Sequence, residues 1–149
     1  MGKATVCVLI AVFMAGCLQE QDTLRTEVPE PARDGIFIHL TTGPDEPLRA
    51  LQALQKGTRF SERADVALYA DIEAVNIFLK DAEDLTHKDF ASSHTMIKEL
   101  VDKGVRIAVC PGCLKAAGKS ADDLMKGIVL ATPSGFFDFT EGCILSLDY

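Results

Sequence analysis

Cys110-Pro111-Gly112-Cys113 places two thiols three positions apart, directly behind a β-branched run at residues 105–109 and directly ahead of a helix-like segment. The thiolate is the reactive form of cysteine, and the amide groups that open a helix favour the anion, lowering the pKa of a cysteine held there. One thiol of such a pair can take up a sulfur atom or a disulfide partner. The second can then attack the first, expel what it carries and close an intramolecular disulfide. The site can therefore be a reductase as easily as a carrier. Pro111 removes one amide donor and stiffens the turn, and Gly112 lets the backbone approach a ligand closely. The blander alternative is two cysteines buried as small hydrophobes.

The elements that must position this pair alternate between strand and helix. Residues 35–40 form a short apolar strand, ended by the turn-rich Thr41-Thr42-Gly43-Pro44-Asp45-Glu46-Pro47, whose last proline suits a helix start. Leu48, Leu51 and Leu54 then recur at helical spacing within residues 48–60. A second strand is expected at 65–72, a helix at 73–80, a polar irregular stretch at 81–93, and a helix at 94–103 that Gly104 stops. The third strand is 105–109, followed by the cysteine pair and a helix interrupted at Gly118. Residues 122–125 open a helical turn that Gly127 ends, 128–131 form a fourth strand, 136–139 are short and aromatic, and 143–147 form a fifth strand. Strands separated by helices imply an α/β fold with a mostly parallel five-stranded sheet covered on both faces, a three-layer α/β/α domain. In such a sheet, ligands gather outside the carboxyl ends of the strands, which is where Cys110 falls.

Other residues reach the same sheet edge. Thr41, Thr42 and Gly43 end the first strand and can wall a pocket with amides open to an anionic sulfur ligand, or simply form a turn and helix cap. Asp71 ends the second strand, and helix capping is its expected role. His39, between Ile38 and Leu40, reads as a packed or hydrogen-bonded core residue. His87 and His94 lie in the polar connection and read as solvated, and Cys143 reads as a core thiol. A rival reading joins Cys110, Cys113, His39 and Cys143 into a soft zinc or copper site, although only one close-spaced pair is present where structural zinc sites usually show two. A third is a non-catalytic envelope protein whose oligomer is an interaction platform. No GxGxxG follows the first strand and no P-loop occurs, so no nucleotide or flavin cofactor is expected.

The amino terminus sets the compartment. Lys3 supplies a basic start, residues 4–15 are almost wholly apolar, and Met14-Ala15-Gly16-Cys17 closes the run with small residues before a cysteine. A bilayer-spanning helix needs roughly 20 residues, so this run has the layout of a secretory signal over residues 1–16. Its ending resembles a bacterial lipobox, which implies lipidation of Cys17, a polar tether over 17–34, and a folded domain over 35–149 on the extracytoplasmic side of a membrane. Of five cysteines, Cys7 leaves with the leader and Cys17 carries the lipid; the remaining three, with two in a tight pair, suit a redox or persulfide site better than a disulfide framework. A formal charge of −7, with no basic cluster, disfavours nucleic-acid binding.

The stretch from Gly35 to Tyr149 resembles the DsrE/DsrF-like family of sulfur relay and sulfur oxidation. The resemblance lies in the first strand running into Thr42-Gly43-Pro44-Asp45-Glu46-Pro47, in the helix Leu48-Arg49-Ala50-Leu51-Gln52-Ala53-Leu54, and in Val109-Cys110-Pro111-Gly112-Cys113-Leu114-Lys115-Ala116-Ala117-Gly118. It implies a flavodoxin-like fold, a homo-oligomer, a sulfur donor or acceptor protein as partner, and a persulfide on Cys110, which matches the family's sulfur-carrying cysteine by position.

Overall fold

Alternation along a strand sends successive side chains to opposite faces of its sheet, and β1, Gly35–Leu40, divides on this rule into Ile36, Ile38 and Leu40 against Phe37 and His39. The computed structural model describes residues 32–149. The signal sequence, Cys17 and most of the tether expected from the sequence lie outside the described residues. After β1 come α1 (Pro47–Phe60), β2 (Asp65–Ala70), a 3-10 helix (Ile72–Phe78), α2 (Ser93–Asp102), β3 (Arg106–Val109), α3 (Pro111–Ala116), β4 (Val129–Leu130) and β5 (Ile144–Asp148). All five strands are parallel, in the order β4-β3-β2-β1-β5.

That order fixes the layers. From β1 to β4 the chain steps in one direction across the sheet, so right-handed crossovers put α1, the 3-10 helix, α2 and α3 on a single face. The return from β4 to β5, past three strands, runs over the other face. On the helical face Ile38, Leu68 and Ile107 stand at one level across β1, β2 and β3, sealed with Leu51, Leu54 and Leu100. Here α1 and α2 pack tightly enough that a Cβ on Gly57 would lie 3.1 Å from Leu100 and 3.6 Å from Ile38. The opposite face carries Phe37 and Tyr69 under Phe136 and Phe139, with Phe37–Phe136 and Tyr69–Phe136 ring centroids at 5.6 Å and 4.9 Å.

Local chemistry sets the boundaries. Pro47 opens α1, where a missing amide hydrogen costs nothing. Ser92 caps α2 by accepting from the Thr95 amide, and Gly104 ends that segment at φ +76°. The helix expected at 73–80 forms instead as the 3-10 helix, whose three-residue turn stacks Ala74 on Ile77 and Val75 on Phe78, all four buried. Strand β2 stops at Ala70, earlier than the apolar run suggests, because Ile72 adopts φ +48° and turns the chain out of the sheet.

Candidate functional site

Cys110 is fixed by the last rung of the β2–β3 ladder, its amide donating to the Ala70 carbonyl at 2.8 Å. Pro111 then starts α3 and makes Cys110 its N-cap, so that the Cys113 amide donates to the Cys110 sulfur at 3.4 Å. Buried Leu114 pins α3 to the core. Both thiols are free and half-buried. Burial opposes ionisation of Cys110, but the Cys113 amide, the Tyr69 hydroxyl and, more weakly, the Gly112 amide donate to its sulfur and together hold it below the ordinary thiol range. Cys113 is set the other way. The Ile72 amide favours its thiolate, yet the Cys110 sulfur, burial and the nearby Asp71 carboxylate outweigh that donor and push it above the ordinary range. The pair thus consists of one thiol biased toward the anion and one biased toward the proton, the division expected of an attacking and a resolving cysteine.

A second group of polar side chains adjoins the thiols. Tyr69 stands beside His39 in the β1–β2 register, their rings stacked with centroids 5.4 Å apart. Burial and its hydrogen bond to Cys110 raise the Tyr69 phenol well above its usual value, so it remains a donor. His39 Nδ1 lies 3.1 Å from Asp148 Oδ1, and its Nε2 lies 3.1 Å from Asp71 Oδ1. The Nε2–Oδ1 contact has ion-pair distance without hydrogen-bond geometry, and among the described residues neither atom has another partner. His39, Tyr69, Asp71 and Cys110 therefore gather at the carboxyl ends of β1, β2 and β3, where an open α/β sheet places its chemistry.

The DsrE/DsrF-like family model matches residues 35–141, the greater part of the chain, including His39, Tyr69, Asp71 and both thiols. The chain belongs to the DsrE/DsrF-like family. Its fold is similar to that of the ychN protein of E. coli, at a TM-score of 0.60 and 20% identity over 76% of this chain and 99% of the other. The protein of unknown function MTH1491 from Methanobacterium thermoautotrophicum is similar at a TM-score of 0.53 and 19% identity over 77% of this chain and 99% of that one. No curated protein shows a significant match.

Within this DsrE/DsrF-like domain the residues expected from the sequence have separate fates. Thr41 spends its hydroxyl on the Tyr149 carbonyl at 2.9 Å, fastening β1 to β5, while the Thr42 hydroxyl oxygen is buried with no partner among the described residues. Gly43 is needed for close packing, because a Cβ there would meet Glu73 Cβ at 2.7 Å and its carbonyl oxygen at 2.9 Å. Pro111 and Gly112 are exposed above the thiols, and a Cβ on Gly112 would meet only the Cys110 sulfur, at 3.8 Å. Three expectations are corrected. Cys143 is exposed, not a core thiol, since it precedes an edge strand; its carbonyl accepts from the Gly35 amide at the opposite end of the sheet from Cys110, so it cannot join the four-ligand metal set. No three His, Cys, Asp or Glu among the described residues are arranged to hold a metal ion. Asp71 makes no side-chain cap hydrogen bond, because its carboxylate faces His39. His39 is packed on Tyr69 and hydrogen-bonded to Asp148, as expected, but it is half-buried on the face away from the helical core, not inside it, and Tyr69 is the site residue that the sequence reading missed.

Proposed function

We propose that this protein is a sulfur carrier of the cell envelope, holding sulfur as a persulfide on Cys110 with Cys113 as the resolving thiol. The observation that carries the reading is the opposite bias of the two thiols, with Tyr69 and two backbone amides directed at the sulfur of Cys110. The same donors that favour a thiolate favour the anionic outer sulfur of a persulfide. Membership of the DsrE/DsrF-like family supports a sulfur donor or acceptor protein as the partner and a homo-oligomer as the working form. Phe137 and Leu145, 70% and 58% exposed, supply apolar surface of the kind such contacts use. The lipobox-like ending at Cys17 supports a lipid anchor on the extracytoplasmic side of a membrane. The test is intact mass of the reduced protein, with the exposed Cys143 replaced by serine, after exposure to a persulfide or polysulfide donor, before and after treatment with reductant. This parent protein should gain sulfur that reductant removes, Cys110→Ser should gain none, and Cys113→Ser should keep a longer-lived adduct on Cys110. Loading that survives Cys110→Ser but is lost in Cys113→Ser reverses the roles, and loading indifferent to both substitutions ends the sulfur-carrier reading.

A further inference from the structure

Cys113 must lose its proton before it can attack, and burial, the Cys110 sulfur and the Asp71 charge all make that loss harder. No base comes from its own helix: Lys115 is the only other ionisable side chain in α3, and it is an exposed cation. The other titratable groups at this end of the sheet come from other elements, namely His39 of β1, Tyr69 of β2, Asp71 beyond it, and Asp148 of β5, which reaches His39. Tyr69 is a committed donor to Cys110. Asp71 is different. Its amide extends the β1–β2 ladder to the Leu40 carbonyl at 3.1 Å, and the next residue, Ile72, directs its own amide at the Cys113 sulfur. An L-residue branched at Cβ seldom takes the φ of +48° that Ile72 adopts, and such strain persists where surrounding contacts impose it. The β2–β3 register ends on the pair Ala70–Val109, and the Cys110 amide donates to the Ala70 carbonyl at 2.8 Å, so Asp71 follows at the level of Cys110 beside the thiol pair, while Asp71 Oδ1, buried and without a hydrogen-bond partner among the described residues, is held 3.1 Å from His39 Nε2.

We propose that Asp71 is the proton acceptor for Cys113 and that His39, braced between Asp71 and Asp148, is the positioning residue that holds its carboxylate. This deepens the sulfur-carrier reading and rests on it for the identity of the group expelled. In the resolving step the Cys113 thiol gives its proton to Asp71, and its electron pair forms a bond to the Cys110 sulfur. The bond between that sulfur and the outer one breaks, and the outer sulfur, which carries its own proton in the reacting –S–SH form, leaves as hydrosulfide with the bonding pair. The two cysteines end as a disulfide, the sulfane sulfur is reduced to sulfide, and no further oxidant enters.

An aryl disulfide that delivers 5-thio-2-nitrobenzoate tests the step without any sulfur loading. Mixed with the reduced protein in which Cys7, Cys17 and the exposed Cys143 are replaced by serine, it releases one coloured thiolate as Cys110 is loaded and a second as Cys113 closes the disulfide; Cys113→Ser marks the second phase by its absence. Asp71→Asn should slow that second phase at pH 7 by about 10²-fold or more, the usual scale of a positioned base, with the rate recovering as pH rises. Asp71→Glu should restore part of it, and His39→Gln should shift the pH profile the same way to a smaller extent. A purely electrostatic Asp71 gives the opposite sign, because removing its charge eases ionisation of Cys113 and speeds the second phase. A second phase unchanged or faster in Asp71→Asn overturns the assignment, and if that variant does not fold, an unchanged pH profile in His39→Gln overturns it. A second phase that depends on Asp71 in a protein that takes up no sulfur upholds the proton acceptor and ends the sulfur-carrier reading instead.

Discussion

The Tyr69 hydroxyl donates to the Cys110 sulfur from the neighbouring strand. Tyr69 pairs with Ala108 in the β2–β3 register, so the phenol spans the two positions that separate Ala108 from the thiol beyond the end of β3. Because Tyr69 is itself held in its neutral form, it stabilises the Cys110 thiolate without competing for its proton.

Tyr69→Phe should therefore move the onset of Cys110 alkylation to higher pH. A hydrogen bond to a charged group contributes ~1.5–3 kcal/mol, and a more basic thiolate recovers about half of the lost rate through its greater nucleophilicity. The net expectation is alkylation about three- to tenfold slower at pH 7, measured in a background with Cys113→Ser and Cys143→Ser so that Cys110 alone is read within the folded domain. The linkage follows from a folded-state pKa that is depressed. The stability this group contributes is fully present above the unfolded cysteine value of about 8.5, and is lost as pH falls through the lower folded value. The destabilisation caused by Tyr69→Phe should accordingly be larger at pH 9 than at pH 6 in urea melts, and the reverse order would remove Tyr69 as the donor.

Cys110 and Cys113 were legible because their spacing and their place after a β-branched run are both local properties. Tyr69 was not, since a donor reaching across from the next strand exists only once the β2–β3 register is set. The available signal was alternation: with Leu68 and Ala70 inside, Tyr69 and Asp71 must share the other face. The same rule separates His39 from its apolar neighbours Ile38 and Leu40, which are fully buried on the helical side. Cys143 reads as buried from the apolar residues that follow it, yet Ile144 and Leu145 are themselves 45% and 58% exposed. Their exposure is a consequence of strand order, because β5 returns to the edge beside β1, and strand order is not written in any local pattern.

The amino-terminal reading makes its own prediction. If Cys17 is the lipidated first residue of the mature protein, Cys17→Ala should leave an unprocessed or soluble form, seen by membrane fractionation and intact mass. Two or three acyl chains are needed for stable attachment, which a single chain does not provide. Unchanged membrane attachment together with an intact Met1 would point instead to an uncleaved apolar helix.

Gly43 and Gly112 separate the support of the site from its mouth. A methyl group at Gly43 would be driven into Glu73, at 2.7 Å from its Cβ and 2.9 Å from its carbonyl oxygen, and the backbone contact cannot be relieved by a rotamer change. Gly43→Ala should cost about 1–3 kcal/mol, the usual range for overpacking, measured by urea unfolding. The 3-10 helix that Glu73 belongs to also carries Ile72, whose amide favours the Cys113 thiolate, so displacing it should slow the closing of the Cys110–Cys113 disulfide as well. Gly112→Ala supplies the contrast. Its methyl would meet only the Cys110 sulfur at 3.8 Å, an ordinary contact, and alanine is favoured over glycine in a helix by ~1 kcal/mol. This variant should fold at least as well as the wild type while slowing bulky alkylating reagents more than small ones at Cys110. Equal stability of the two variants would mean that the Thr42-Gly43 loop does not brace the 3-10 helix against Cys113.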